Sequence, residues 1–285
     1  MTSKYLCQLE TLDALRDHQQ IVKRLVSYEF PFDITRSLEF ALFRTYAIPS
    51  ISALLDATGE FYARPQKRYD DTDLMISLIL QKGYDSPEGK AALRRMNQMH
   101  RRFEISNEDF LYVLSTFVYE PIKWNARFGW RPMHVKEQLA MFHCWRAIGE
   151  RMSIRDIPDD FAEFRRWSEA YEERWFIFDE RNRRVGEATV SLFLSWFPAL
   201  ARPLGRQAIY AMMDERLLDA FGFPHPSRAT RRLVTGSLKA LGMLNRITPA
   251  RRTPKLRDFS MKRRSYGGHY TLEDVGPPYM TERRG

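Results

Sequence analysis

Apolar residues recur at intervals of three and four along most of the chain, and no segment shows the strict alternation of a half-buried strand. These intervals predict about ten helices, separated by prolines and glycines. The clearest cover residues 66–81, 86–103, 107–120, 132–149, 160–177, 186–197, 204–221 and 227–241, with Pro121 expected to end the third. The pattern therefore predicts an all-α fold whose periodicity fades beyond Thr248.

The predicted helix over residues 86–103 carries a histidine on its apolar side. Leu93, Met96, His100 and Phe103 follow one another at offsets of three, four and three, so they share one stripe facing the core. A histidine in this position is most often a core residue that donates one hydrogen bond to a carbonyl. The alternative is a haem ligand, which needs a neutral imidazole nitrogen, an apolar slot and nearby cations. Four arginines flank the stripe: Arg94, Arg95, Arg101 and Arg102.

The predicted helix over residues 66–81 places two polar side chains on its apolar face. Arg68, Thr72, Met75 and Ile79 share one stripe, with the cation and the hydroxyl one turn apart. One interpretation is a salt bridge for the arginine and a threonine that bonds back to its own helix. The other is a polar cluster inside a pocket. The spacing alone favours neither.

Composition is that of an ordinary globular protein, with 44% hydrophobic and 28% charged residues in a chain of 285. Cys7 and Cys144 are too few for a disulfide framework, and no secretory leader is evident. The most continuous apolar run, residues 188–201, is too short to cross a bilayer of about 30 Å. We therefore expect an intracellular protein, cytoplasmic or in peripheral contact with a membrane.

The formal net charge of +9 favours anionic partners, and much of it lies near the C-terminus. We expect one helical domain over residues 1–250 and a basic tail over residues 251–285. The tail is interpreted first as solvated, with weak attachment to anionic membrane as the alternative. Nucleic acid is not expected, because no recognisable binding module is present. The basic residues of the tail are Arg251, Arg252, Lys255, Arg257, Lys262, Arg263 and Arg264.

Common catalytic motifs are absent from the sequence. It contains no His-Glu-x-x-His, Gly-x-Ser-x-Gly or Walker loop and no Cys-x-x-Cys pair, which removes the usual zinc, serine-hydrolase and nucleotide-binding classes. A di-iron carboxylate bundle needs paired Glu-x-x-His units, and only a single reversed one occurs, at residues 134–137. His143 is interpreted as core or near-core packing.

Three stretches together resemble the haem oxygenase family that includes the bacterial latex-clearing protein and the fungal MpaB enzyme. They are FRTYAIPSISALLDATGEF at residues 43–61, KRYDDT at residues 67–72, and the segment from Met99-His100 through YVLSTFVYEPIKW to GWRPMHVKEQLAMFHCWRAIGERMSI. The likeness is closest to the MpaB branch and spans roughly residues 40–203. It implies a globin-like helical core around a b-type haem.

The resemblance also implies roles for particular residues. His100 matches the proximal iron ligand, and Arg68 with Thr72 matches a pair beside the haem pocket that we expect to be catalytic. Arg68 is expected to anchor a haem propionate or hold a distal hydrogen-bond network, and Thr72 to donate to oxygen or position that network. Asp71 stands where the latex-clearing protein has a lysine, so no lysine-ligated resting state is expected. Glu60 is the candidate for the family's acidic catalytic residue.

We therefore expect a haem b-dependent oxygenase that uses O₂ on an apolar, unsaturated, terpenoid- or prenyl-like substrate, with oxidative cleavage of a carbon–carbon double bond as the expected reaction. The alternative is a non-enzymatic helical protein whose basic surface binds anionic membrane or nucleic acid.

Overall fold

The computed structural model describes residues 4–247 and 251–281, and all regular secondary structure in these ranges is helical, which confirms the all-α prediction. The N-terminal helices are α1 (Lys4–Thr11), α2 (His18–Arg24), a π-helical turn (Leu25–Glu29), α3 (Pro31–Thr45), α4 (Pro49–Ala57), α5 (Glu60–Ala63), α6 (Pro65–Lys82) and α7 (Pro87–His100). They are followed by α8 (Asn107–Phe128), α9 (Val135–Arg151), α10 (Phe161–Trp175), α11 (Glu180–Ser195), α12 (Arg202–Met212), α13 (Glu215–Phe221), α14 (Arg228–Ile247) and α15 (Pro278–Thr281), with 3₁₀ turns at Ala199–Ala201 and Leu272–Asp274.

Local sequence determines how α6 and α7 pair. Gly83 ends α6 with φ of +97°, and the Ser86 side chain caps α7 by accepting a hydrogen bond from the Gly89 amide at 3.0 Å. A Cβ on Gly89 would lie 2.0 Å from the Gly83 carbonyl oxygen, so only glycine permits this turn. The two helices therefore run back along each other, which brings His100, at the end of α7, beside the first half of α6.

The hydrophobic residues form two main buried clusters. The larger is built from α1 to α3 and α6 to α9, and contains Leu74, Leu78, Tyr119 and Phe142. The smaller joins the end of α3 to α11, α12 and α13. α3 contributes to both clusters and packs most extensively against α8. The region between α3, α6 and α11 is thus the place where the two clusters meet.

Several predicted helix boundaries are wrong, including the start of α11, predicted at residue 186, and the end of α14, predicted at residue 241. α8 continues through Pro121 to Phe128, although a proline there removes one hydrogen bond to the preceding turn. The residues on both sides of it, including Val118 and Trp124, are buried, so tertiary packing outweighs the lost bond. The single helix predicted over residues 204–221 is two helices, because the Asp214 side chain caps α13 by accepting from the Leu217 amide at 3.0 Å.

The solvated interpretation of the C-terminal segment is wrong for part of its length. Arg263 is only 3% exposed and, together with Arg257, pairs with Asp73 of α6. Tyr270 and Val275 join the larger buried cluster. Five of the seven basic residues do face solvent: Arg251, Arg252, Lys255, Lys262 and Arg264. The domain boundary expected between residues 250 and 251 lies at the end of a gap, because residues 248–250 are outside the described ranges. The last four residues of the expected tail, 282–285, are outside them as well.

The same segment then crosses the outer side of α6 and α7. The Gly276 amide donates to Asp71 Oδ2 at 2.9 Å, and Lys67 Nζ lies 2.9 Å from the same carboxylate. Arg95 donates to the carbonyl oxygens of Glu273 and Val275 at 3.0 and 2.8 Å. Asp71 and Arg95 therefore hold the C-terminal segment in place.

No single helix in the described ranges is long and apolar enough to cross a membrane. The pair α3 and α4 passes the same length and composition test only when taken together, and the two helices are bent by 95° at their junction.

A buried ionic network fixes α3 against its neighbours. Arg44 donates from Nε and Nη2 to the two carboxylate oxygens of Glu172 on α10, both at 2.6 Å. Its Nη1 pairs with Asp214, and Glu120 of α8 lies 3.8 Å from its Nε. The Tyr112 hydroxyl adds a hydrogen bond to Glu172 at 3.0 Å. Arg44 thus joins α3 to α8, α10 and the start of α13.

Arg44→Met should destabilise the fold by about 3–5 kcal/mol, because it leaves Glu172 buried without its cation and leaves Glu120 with Lys123 alone. Arg165→Met is the matched control: it breaks an exposed pair with Glu169 and should change the free energy of unfolding by less than about 1 kcal/mol. Unfolding in guanidinium chloride, followed by circular dichroism, measures both. Similar small losses in the two variants would contradict the importance of this network.

Candidate active site

A cleft opens where α3, α6 and α11 meet. It contains about 900 Å³ of space outside the protein atoms, part of which is open to solvent. Most of its wall is apolar, and a few polar side chains converge on it. The apolar wall includes Ile34, Leu38 and Leu42 of α3, Ile76 of α6, and Leu192 and Phe193 of α11.

Arg68 lines this cleft from the first half of α6. Its guanidinium carbon lies 4.1 Å from the centre of the Phe61 ring. Burial raises the pKa of the Tyr46 hydroxyl, and a hydrogen bond from Arg68 partly offsets that rise. Arg68 forms no ion pair with any carboxylate in residues 4–247 and 251–281. A half-buried cation in an apolar cleft is therefore available to an anionic group of a ligand.

Thr72 lines the cleft one turn further along α6. Its Oγ1 donates to the Arg68 carbonyl oxygen at 2.9 Å, which is the back-bonding arrangement considered from the sequence. The structural interpretation is thus right for Thr72, which bonds to its own helix. It is wrong for Arg68, which forms no salt bridge within the described chain and belongs to the polar cluster in the cleft. With its proton used in this way, the Thr72 oxygen can accept a hydrogen bond in the cleft.

His100 lies beside this pair and is not among the residues that line the cleft. Its Nδ1 is buried and has no hydrogen-bond partner among the residues that the structure describes. Its ring packs edge-on against Phe110, with 5.3 Å between ring centres. Burial, and to a smaller extent the charge of Arg68, lowers the pKa of His100 to about 4. The imidazole is therefore neutral at pH 7 and keeps a free lone pair.

These residues fit the expected haem. The described residues contain no group of three or more His, Cys, Asp or Glu side chains able to hold a bare metal ion. A porphyrin brings four nitrogen ligands of its own and needs only one from the protein. Buried polar atoms without partners are uncommon, and the Nδ1 of His100 has none among the described residues. A role of this imidazole in holding a metal centre would explain it.

The structure places Glu60 away from the cleft wall. Its Oε1 lies 2.5 Å from Nη2 of Arg64, one turn along the chain, and it does not line the cleft. A catalytic role for Glu60 stays a prediction to which this geometry adds no support.

Two carboxyl groups line the cleft: Asp73, which pairs with Arg257 and Arg263, and Glu39, which the sequence analysis missed. It accepts a hydrogen bond from the Tyr69 hydroxyl, and Arg36 Nη2 lies 2.7 Å from its Oε1. Burial raises its pKa from 4.5 to about 7, against the opposing effect of Arg36. Helical spacing could have identified Glu39. On α3 it follows Thr35 by four residues and precedes Leu42 by three, so all three side chains share a face.

The family of the chain follows from its similarity to known proteins. Residues 40–246 match the family model described as the catalytic domain of ER-bound oxygenase mpaB/B′ and rubber oxygenase. The chain belongs to this family. The resemblance recognised in the sequence is thereby confirmed, and the expected enzyme class, an oxidoreductase acting as an oxygenase, is that of the family.

Individual relatives cover most of the chain. It is 31% identical over 237 residues to ER-bound oxygenase mpaB of Penicillium roqueforti (strain FM164), which is 76% of this chain and 79% of that protein. It is 30% identical over 244 residues to ER-bound oxygenase mpaB′ of Penicillium brevicompactum, covering 78% and 57%. It is 29% identical over 212 residues to ER-bound oxygenase mpaB of the same fungus, covering 67% and 54%. The chain thus spans little more than half the length of the last two.

Glu39→Gln should change how stability depends on pH. Because the pKa of Glu39 rises from 4.5 to about 7 on folding, the folded protein keeps a proton that the unfolded chain releases in this range. The stabilisation is complete below pH 4.5 and is lost as the pH rises to about 7. Relative to the variant, wild-type protein should lose on the order of 2 kcal/mol of unfolding free energy across this window.

Urea unfolding at the two ends of the window measures this difference. Glu169→Gln, in an exposed pair on α10, controls for the loss of one carboxylate. A difference between wild type and Glu39→Gln that is constant with pH would show that the carboxyl is not buried as described.

Proposed function

We propose that the protein is a haem b-dependent oxygenase that acts on an apolar, unsaturated, terpenoid- or prenyl-like compound and cleaves a carbon–carbon double bond. The observation that carries the proposal is the neutral imidazole of His100, whose buried Nδ1 has no partner among the described residues and whose neighbour Arg68 lines a largely apolar cleft. Family membership supplies the oxygenase class. When bound, haem b supplies an iron centre at which O₂ is activated.

The residues of the chain have separable roles in this proposal. His100 would hold the iron through an imidazole nitrogen. Arg68 offers a cation without an acidic partner in the described chain, which suits the carboxylates of a porphyrin edge. Thr72 presents an oxygen that accepts hydrogen bonds. Glu39, with a pKa near 7, holds or releases a proton at its carboxyl group inside the cleft.

The cleft wall favours an apolar substrate. Leucine, isoleucine and phenylalanine side chains from three helices line it, so binding a hydrocarbon chain removes apolar surface from water on both partners. The relatives are oxygenases, and the family includes rubber oxygenase, which acts on a long unsaturated hydrocarbon. A long unsaturated hydrocarbon is the substrate class that agrees with both the wall and the family.

His100→Ala should purify folded but with little or no haem, because the helices pack independently of that one ligand. His143→Ala is the matched control, since His143 lies on α9 and is only partly buried, and it should retain haem. The absorption spectrum gives haem per chain, and circular dichroism gives helicity. A normal Soret band with full haem content in His100→Ala would assign the ligand to another residue.

Arg68→Leu and Thr72→Val should separate ligand retention from chemistry. Arg68→Leu removes the unpaired cation and should weaken haem retention or lower turnover per haem by at least about tenfold. Thr72→Val is nearly isosteric and should keep its haem while lowering turnover by about two- to tenfold, the worth of one hydrogen bond. The measurement is turnover per haem with a polyunsaturated terpenoid probe, alongside circular dichroism.

Arg64→Leu is the control for Arg68→Leu, because it removes a cation one turn earlier that pairs with Glu60 outside the cleft. It should behave like wild type. Wild-type turnover in both Arg68→Leu and Thr72→Val would mean that the stripe on α6 is structural only.

A further inference from the structure

The solvent side of α14 is apolar. Leu233, Met243 and Leu244 are all exposed, with Leu233 71% and Met243 68% accessible. Gly236 opens to the same side, since a Cβ added to it would meet no atom within 4 Å. Their spacing places these four positions on one face of the helix. A surface helix normally carries polar residues there.

The opposite side of α14 is fixed by the fold. A Cβ added to Gly242 would lie 2.6 Å from the Phe128 carbonyl oxygen, so the helix approaches the end of α8 closely. Arg231 donates from Nη1 to the Met213 carbonyl oxygen at 2.6 Å, which ties the start of α14 to the end of α12. The apolar face of α14 therefore points outward because the inner face is already packed.

All the charged residues of α14 are basic. Its sequence contains arginine and lysine but no aspartate or glutamate. Arg228, Arg232 and Lys239 are exposed on the flank of the apolar face. None of the three forms an ion pair in the part of the chain that the structure describes. The helix thus combines an outward apolar stripe with a free cationic edge.

A second exposed apolar set lies on the neighbouring element. Three exposed apolar residues lie between the end of α11 and the first turn of α12: Phe197, Leu200 and Leu204. Leu200 is 96% exposed. α14 packs against α12, so this second set lies at the start of the helix that neighbours α14.

We propose that the solvent face of α14, together with the exposed residues at the start of α12, docks on an anionic lipid bilayer. A helix with apolar residues on one side and lysine and arginine beside them lies in the plane of a membrane interface, and anionic head groups attract its cations. A second copy of this chain is a poorer occupant, because a symmetric contact would bring the same cations together. The proposal is independent of the chemistry of the cleft.

The test is sedimentation of the full chain with vesicles of phosphatidylcholine alone or mixed with phosphatidylserine. Wild type should bind the mixed vesicles, and bind the neutral ones at least about tenfold more weakly. The double variant Leu233→Gln, Leu244→Gln and the double variant Arg232→Gln, Lys239→Gln should each weaken binding to the mixed vesicles by at least about tenfold. Arg165→Gln with Arg166→Gln, which removes two exposed charges on α10, is the control and should bind like wild type.

Three results would overturn the proposal. One is wild type that stays in the supernatant with mixed vesicles. Another is binding that the α14 variants do not change. The third is a wild-type dimer in analytical ultracentrifugation that Leu233→Gln with Leu244→Gln dissociates, since that would make this face a protein interface. Circular dichroism identifies misfolded variants, and the charge variant, which alters only exposed side chains, still tests the proposal if the leucine variant fails to fold.

Discussion

The buried pairing of Arg44 with Glu172 is the interaction on which the geometry of the candidate site depends. Arg44 faces α8 and α10, while Glu39, Leu42 and Tyr46 of the same helix face the cleft or its edge. Because Arg44 holds one side of α3 in place, the part of the cleft wall that the other side of α3 forms is held in place as well. A buried arginine with two carboxylates tolerates little displacement, because any lost contact leaves a charge without compensation. The rigid wall opposite α6 follows from that constraint.

Sequence periodicity predicted the helices well and their contacts poorly. The cap at Ser86 and the inward faces of α6 and α7 follow from neighbours a few residues apart, so they were visible in the sequence. Arg44 and its partners are separated by 128 and 170 residues, and no local pattern connects them. The same reason explains the C-terminal segment. Its arginines appeared solvated because Asp73, their partner, lies far away in the chain.

The candidate site divides in the same way. Arg68, Thr72 and His100 were predicted from helical spacing and family likeness. The structure places Arg68 and Thr72 on the cleft wall, and it places His100 near enough to Arg68 for the charge to affect the imidazole, although His100 does not line the cleft. Glu39 was missed because its significance depends on Tyr69 and on burial by a helix that packs from elsewhere. Glu60 was chosen because it lies shortly before Arg68 in the sequence. Its ion pair with Arg64, four residues later, could also have been expected from helical spacing. Tertiary burial, more than residue type, separates these two glutamates.

The central claim is that one buried imidazole, left without a hydrogen-bond partner in the described fold, holds haem b beside an apolar cleft. The most direct test is titration of the purified wild-type chain with haem b, followed by absorption in the Soret region. The account predicts saturation at one haem per chain, with a band position typical of an imidazole-ligated iron. A spectrum that remains that of free haem at every ratio would contradict it.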